Sequence, residues 1–311
     1  MPTYHRILVA TDLSRTAAAA LSVAARIARR DGAEIHVLHV RLAVNDIVNT
    51  LGPDKGAPQD VLGDHAVRAW IRSAGCDGEV QATRVLSGGL SAAPQIVRYA
   101  QEQGIDLIVM GSHGRSGAAL AVLGNDAQAV LRQADCSVMV VRPDIQRETL
   151  RRILAPVDLS AHSAAAMRRA ADIAAQSGAA LEVLLAVEPL ALPPFIAPVL
   201  DSAQNTENAR NALAAFVEEA HLPVAARRVL VQGVAHAAIV EHARRQETDL
   251  IVMSHAGLSA IERLFLGSVT ERVLRTAPCA VLVHREAEHA AVVPAGTARP
   301  EGAAAAVQHP T

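Results

Sequence analysis

Aromatic side chains are scarce in this sequence: three Phe, two Tyr and one Trp make up 2% of its 311 residues. Few platforms therefore exist on which unpaired bases could stack. An excess of one charge is also lacking, with 29 Lys and Arg against 31 Asp and Glu and no block of like charges. Nucleic acid would find little electrostatic footprint, so no nucleic-acid partner is expected. No uninterrupted apolar run approaches the ~20 residues needed to cross a bilayer, and no membrane association is expected. Met1-Pro2-Thr3-Tyr4-His5-Arg6 leads straight into an apolar strand, with neither signal nor transit character. A cytoplasmic address is the expectation.

What the sequence does have is repetition. Ile7-Leu8-Val9-Ala10-Thr11-Asp12-Leu13-Ser14 returns as Ile153-Leu154-Ala155-Pro156-Val157-Asp158-Leu159-Ser160, and Asp106-Leu107-Ile108-Val109-Met110 returns as Asp249-Leu250-Ile251-Val252-Met253. Ala134-Asp135-Cys136-Ser137-Val138-Met139-Val140-Val141 is answered by Ala277-Pro278-Cys279-Ala280-Val281-Leu282-Val283-His284. Three blocks in one order at a period of roughly 145 residues indicate duplication of a domain, not the ~20–50-residue period of a solenoid. The expected division is 1–144, 150–285 and a disordered tail, 286–311, rich in Ala, Gly and Pro.

Cysteine is nearly absent, and Cys76, Cys136 and Cys279 lack metal-ligand spacing. Cys136 and Cys279 hold equivalent places at the head of an apolar strand and are expected to be buried and inert. Cys76, in Gly75-Cys76-Asp77-Gly78, is expected to be the exposed one.

Within the first copy, short apolar runs alternate with segments of helical period. Strands are expected at Arg6–Ala10, Ile35–Val40, Val80–Leu86, Asp106–Met110 and Ser137–Val141. Helices are expected at Ser14–Arg30 with Ser14 as N-cap and Gly32 as the stop, then near Asp60–Ser73, Ala93–Gln103 and Asn125–Gln133. The second copy repeats the plan from Arg152 to His284, with a longer second helix near Ser202–His221. The fold class is α/β: two tandem, doubly wound, parallel five-stranded sheets covered on both faces.

Ligands of such sheets bind beyond the carboxyl ends of the strands, where strand order reverses. Two features of each repeat fall there: the acid after strand one, and a glycine-bearing loop after strand four. In the first copy the loop is Gly111-Ser112-His113-Gly114, followed by Gly124-Asn125; in the second it is Ser254-His255-Ala256-Gly257, followed by Gly267-Ser268-Val269-Thr270. Glycines let backbone N–H groups approach an anion, and the next helix presents its positive end. Ser268 and Thr270 add hydroxyls suited to phosphate oxygens. The same glycines also suit a plain strand-to-helix turn.

These residues resemble the universal stress protein family, in its tandem form. The resemblance runs from Tyr4 to Arg285 through the Ile-Leu-x-x-x-Asp-x-Ser entry, the Asp-Leu-Ile-Val-Met strand and the Gly-Ser-Val-Thr helix start. It implies a Rossmann-like fold of the adenine nucleotide alpha-hydrolase type. The nucleotide-binding branch carries Gly, two residues, Gly, nine residues, Gly, then Ser or Thr. The first copy supplies Gly111, Gly114 and Gly124 but Asn125 for the hydroxyl; the second supplies Gly257, Gly267 and Ser268 but Ser254 for the first glycine. Asp126, beside Asn125, adds negative charge where Val269 stands in the second copy, and Arg115 partly offsets it. The second site is the better expected triphosphate binder.

By the same resemblance, Asp12 and Asp158 lie beside the adenosine part of the ligand, and Val40 and Val187 against the adenine. The alternative for either Asp is an N-cap or loop-fixing acid before the first helix. The implied ligand is ATP or AMP, with Mg as a companion ion. The fifth strands are the implied meeting edges of an intrachain pseudo-dimer; association of two chains into a homodimer is left open.

Ser87-Gly88-Gly89-Leu90-Ser91 looks like a pyrophosphatase loop but follows the wrong strand and lacks its Asp, so a turn is expected. His36 and His39 are spaced for opposite faces of a strand. His113, His236, His242 and His255 are expected near the ligand end without a triad partner, and no metal site is expected. Two function classes remain: a stress-response regulator binding adenine nucleotide in one or both halves, or an interaction module with degenerate pockets. With no Walker lysine and no evident base for water, the chain is not expected to be an enzyme, and ATP hydrolysis is expected to be slow or absent.

Overall fold

The computed structural model describes residues 4–42, 59–112, 123–143, 149–188, 202–255 and 266–286. Gly114, Arg115 and Gly257, together with His113, the 52–58 loop, the 144–148 linker and the tail beyond 286, lie outside the described residues. The first half contains β1 (Arg6–Thr11), α1 (Arg15–Asp31), β2 (Glu34–Leu42), α2 (Gln59–Ser73), β3 (Val80–Gly88), α3 (Ala93–Glu102), β4 (Leu107–Gly111), α4 (Asn125–Gln133) and β5 (Ser137–Val141). The second contains β6 (Arg152–Val157), α5 (Ala161–Ser177), β7 (Ala180–Val187), α6 (Ser202–Glu219), β8 (Ala226–Gln232), α7 (Ala235–Arg245), β9 (Leu250–Ser254), α8 (Ser268–Thr276) and β10 (Ala280–His284).

Unbroken apolar runs make the central strands. Ile7, Leu8 and Val9 are each 0% exposed, as a parallel strand covered on both faces requires. Odd members such as Ile7 and Val9 belong to one core layer and even members such as Leu8 to the other. The alanines of α1, among them Ala20, Ala24 and Ala25, bury a narrow face against the sheet. Ser14 accepts a hydrogen bond from the Ala17 N–H, and Gly32, at φ 71°, closes the helix by donating to Ala28 O. Ser160 and Gly178 do the same for α5.

All strands within a half are parallel, and the halves join by one antiparallel pair, giving a ten-stranded sheet in the order β3-β2-β1-β4-β5-β10-β9-β6-β7-β8. At the seam Val140 faces Val281, Met139 faces Leu282 and Val138 faces Val283. Every residue of β5 and β10 is buried, and both core layers run across the seam without a break. Two strand edges that would otherwise be open templates cover one another.

One expectation is overturned by packing. Cys76 is 3% exposed, with Sγ 3.4 Å from Ala74 O, because the turn after α2 folds back under the sheet's first core layer. Cys136, only half-buried, is the most accessible of the three. Burial still pushes the Cys136 and Cys279 thiols up to about 12, so neither is a nucleophile.

Candidate functional site

Strand order reverses between β1 and β4 in the first half and between β6 and β9 in the second. Thr11 pairs with His39 and Ala10 with Met110, so Asp12, Val40 and Gly111 gather at the carboxyl ends of three adjacent strands. Asp158, Val187 and Ser254 follow or end β6, β7 and β9 in the same way. Val40 is buried and Val187 half-buried.

The loops after β1 and β6 are twins down to their strain. Leu13 and Leu159 have φ of 67° and 64°, a left-handed conformation that costs a side-chain-bearing residue roughly 1–2 kcal/mol. Hydrogen bonds hold it in place. The Leu13 N–H donates to Thr11 Oγ1 at 2.9 Å and the Ser14 N–H to Asp12 Oδ1 at 3.0 Å. In the second loop Asp158 Oδ1 accepts from the Ser160 N–H at 3.1 Å and the Ser160 hydroxyl at 2.5 Å. Both aspartates therefore fix their loops through one oxygen, the structural role that the sequence had left open.

The helices that follow β4 and β9 start from equally matched anchors. Gly124 N–H donates to Ser112 O at 2.9 Å and Gly267 N–H to His255 O at 3.0 Å, which sets α4 and α8 at the ends of their strands. Gly111 is required by packing: a Cβ there would meet Thr16 Cγ2 at 2.8 Å. The counterpart of Thr16 is the exposed His162, in keeping with Ser254 in place of that glycine. Thr270 is buried and its hydroxyl donates to Ser254 O at 3.1 Å, so it straps the helix to the strand. Of the two hydroxyls expected to face a phosphate, the exposed one is Ser268.

Asp126 is turned to a neighbour that the sequence did not suggest. Its Oδ1 accepts from the Ser91 hydroxyl at 2.7 Å and the Ala92 N–H at 3.0 Å, pinning α4 to the start of α3. Ser87–Ser91 is accordingly the end of β3 and a turn, with Leu90 84% exposed at its tip. The equivalent positions in the second half are Val234 and Val269, so α8 opens with Gly267, Ser268 and Val269 and no carboxylate until Glu271. Asn125, like Ser268, is exposed.

Buried polar pairs lie at the other end of the sheet. His242 Nε2 is 2.6 Å from Glu182 Oε2, and Arg227 donates to Glu182 Oε1 at 2.7 Å. His242 therefore sits near the amino end of β7, away from the ligand end where it was expected, and the fold gives it a carboxylate. The first half places His36 Nδ1 3.0 Å from the Tyr99 hydroxyl at the equivalent positions. No nucleophile joins either pair among these contacts. Among the described residues, no three His, Cys, Asp or Glu side chains converge as metal ligands, and no helix is long and apolar enough to cross a membrane.

The seam carries side-chain contacts that the sequence did not announce. Arg142, just past β5, donates from Nη2 to Leu274 O at 3.1 Å and Arg275 O at 2.7 Å, in the last turn of α8. Arg285, just past β10, donates from Nη2 to Leu131 O at 3.2 Å and Arg132 O at 3.1 Å, in the last turn of α4. Arg285 also donates to His255 Nε2. Burial, and then the Arg285 charge, hold His255 down at about 4; burial, then Arg169 and Arg168, do the same for His284, whose Nδ1 lies 3.1 Å from Ser137 Oγ. The signal was an Arg directly after each repeat's last strand.

Comparison with known proteins agrees with this geometry. The chain is 29% identical over 150 residues to universal stress protein YxiE of Bacillus subtilis, covering 45% of this chain and 99% of that one. It is similar in fold to a functionally unknown protein from Pseudomonas aeruginosa PAO1, with a TM-score of 0.65 and 22% identity over 91% of this chain and 93% of the other. A universal stress protein from Archaeoglobus fulgidus DSM 4304 has a TM-score of 0.63 and 19% identity, over 90% and 98% of the two chains. The model of the universal stress protein family matches residues 3–142 and again 149–285. With two matched copies spanning most of its length, the chain belongs to the universal stress protein family, as a tandem member.

Proposed function

We propose that this chain is a stress-response regulator that binds adenine nucleotide, with the second half as the principal site for a triphosphate. The observation that carries this reading is the opening of α8. Past Gly267, whose own N–H is taken by His255 O, Ser268 and Val269 present backbone donors, one exposed hydroxyl and the positive end of a helix, with no carboxylate before Glu271. Glu271, the first acid along α8, is paired with Arg275 at 2.9 Å and Arg132 at 3.6 Å. Asp158 and Val187 would hold the adenosine part, Gly257, Gly267 and Ser268 the phosphates, and Mg would screen phosphate charge when present. The ligand's role is to bind and stabilise one arrangement of the halves; with no Walker lysine and no evident base for water, turnover is expected to be slow or absent.

The first half supports a weaker site built from Asp12, Val40, Gly111, Gly114, Arg115, Gly124 and Asn125. Asp126 in the first turn of α4 opposes added negative charge there. That carboxylate also favours a second reading for this half, a pocket lost to binding and kept as an interaction surface. A cytoplasmic location goes with either.

Calorimetric titration of ATP-Mg into wild type, Gly124→Trp and Gly267→Trp separates these. Loss of most binding with Gly267→Trp supports the proposal. Full binding in Gly267→Trp, with loss in Gly124→Trp, reverses the assignment of halves, and no heat in wild type favours the interaction module.

A further inference from the structure

The ten-stranded sheet ends at β8, which pairs with β7 alone. Helix α6 lies along this outer strand, tied to it by Gln232 on Thr206 at 3.2 Å and by Arg228 on Glu218 at 3.4 Å. Between them is a cavity of about 310 Å³, lined by Arg210, Asn211, Leu213 and Ala214 of α6 and by Arg228 and Leu230 of β8. That is the small end of the ~300–1,000 Å³ range in which ligand pockets fall. The cavity is on the flank of the second half, outside the switch point between β6 and β9.

Periodicity gives both walls the same character. Arg210, Leu213 and Ala214 are three and four residues apart and share a face of α6, while Arg228 and Leu230 alternate onto one face of β8. Leu213 is buried and Leu230 packs half-buried on the same core layer, with Ala214 half-buried beside them. The two arginines and Asn211 are exposed at the rim. An apolar floor between cationic ends suits a ligand with an apolar body and an anionic end. Each guanidinium already takes a carboxylate of its own chain. Arg210 holds Glu207, one turn earlier on α6, at 2.5 Å. Arg228 reaches Glu218 at 3.4 Å, and the Glu218 side chain is 76% exposed. Exposed pairs of that kind contribute little, so a ligand carboxylate can replace Glu218. Glu207 and Glu218 oppose a second negative charge, which favours a carboxylate over a phosphate. The first half differs at the same place. Gly63 brings α2 so near β3 that an added Cβ would lie 3.1 Å from Val85 Cγ1, and Asp64 stands where α6 has Arg210.

We infer that the cavity between α6 and β8 binds a medium-sized organic acid, an apolar body ending in one carboxylate, with Arg228 as its anchor. The planar guanidinium presents paired N–H donors that match the two oxygens of a carboxylate. Leu213, Ala214 and Leu230 take the apolar body out of water. Arg210, held more closely by Glu207, is the lesser contributor. This site is separate from the nucleotide site and stands without it.

The test is calorimetric titration of the full chain with sodium octanoate, octanol and octylamine, three probes alike in apolar body and different in charge. Octanoate is expected to bind one to one and the amine not at all. Arg228→Met should weaken octanoate roughly tenfold or more and leave octanol unchanged, because it removes a charge-assisted bond that only the acid makes. Ala214→Trp, which fills the cavity, should abolish binding of octanoate. Arg227→Met should leave it intact, since Arg227 pairs with Glu182 from the other face of β8. Octanoate should also bind Gly267→Trp as it binds wild type. No octanoate binding in wild type, equal affinities for octanoate and octanol, or an octanoate affinity unchanged by Arg228→Met would overturn the assignment. Loss of octanoate binding in Gly267→Trp would overturn it too, by placing the acid in the nucleotide site.

Discussion

Arg142 and Arg285, equivalent residues at the ends of β5 and β10, exchange places across the seam: each donates two hydrogen bonds to the last turn of the other half's helix. Hydrogen bonds from charged groups contribute about 1.5–3 kcal/mol each, and a carbonyl left without a donor adds to the loss. Arg142→Met and Arg285→Met are each expected to lower stability by about 2 kcal/mol, read as a shift in urea midpoint. A change within about 0.5 kcal/mol would show that water replaces the guanidinium without loss.

Acid should loosen the same seam. His255 and His284 titrate at about 4 in the folded chain and near 6.5 when unfolded. As pH falls, the unfolded chain takes up these protons first, so their contribution is complete above about 6.5 and is lost progressively toward 4. The loss is roughly 3 kcal/mol per buried imidazole. Urea midpoints at pH 7.0, 6.0 and 5.0 should fall steadily in wild type. The slope should be shallower in His284→Val, which copies Val141 at the equivalent strand position. An unchanged slope would place the acid sensitivity elsewhere.

Gly111→Ala and Ser254→Gly should behave oppositely despite occupying one motif position. The first drives a Cβ to 2.8 Å from Thr16 Cγ2 and 3.3 Å from the Thr16 backbone carbon, a clash expected to cost about 1–3 kcal/mol. The second deletes a half-buried side chain, with an expected change below about 1 kcal/mol. Denaturant midpoints of the two variants decide this.

Asp126→Val should improve the first site. Removing a charge from the first turn of α4 is worth about 0.3–1 kcal/mol to a bound anion, or roughly two- to fivefold in affinity. The comparison is made in Gly267→Trp by titration with ATP-Mg and with adenosine. Adenosine binding should stay the same, because it carries no phosphate. An equal gain for both ligands would mean that Asp126 acts by shaping the pocket.

Most of the framework was legible in the residues because it follows from local pattern. The strand Arg6–Thr11 extends the expected Arg6–Ala10 by one residue, and Asn125–Gln133 and Ser137–Val141 lie where periodicity puts them. The caps Ser14 and Gly32 were equally local. Distant pairings were not legible. Ser91 meets Asp126 across 35 residues, Glu182 meets His242 across 60, and Arg285 meets Leu131 across 154. A single sequence carries no record of which polar groups the fold will bring together. Cys76 was misplaced for a related reason: Gly75 and Gly78 announce a turn, but not that the turn tucks beneath the sheet.

Nucleotide bound in the second half, as proposed, should accompany the chain through purification, so what the purified chain already carries is measured first. Freshly purified wild type and Gly267→Trp would be denatured, and the released small molecules resolved by chromatography and quantified against protein. Adenine nucleotide is expected from wild type and a markedly reduced amount from Gly267→Trp. Wild type that releases none, and that gives no heat with ATP-Mg, would contradict it.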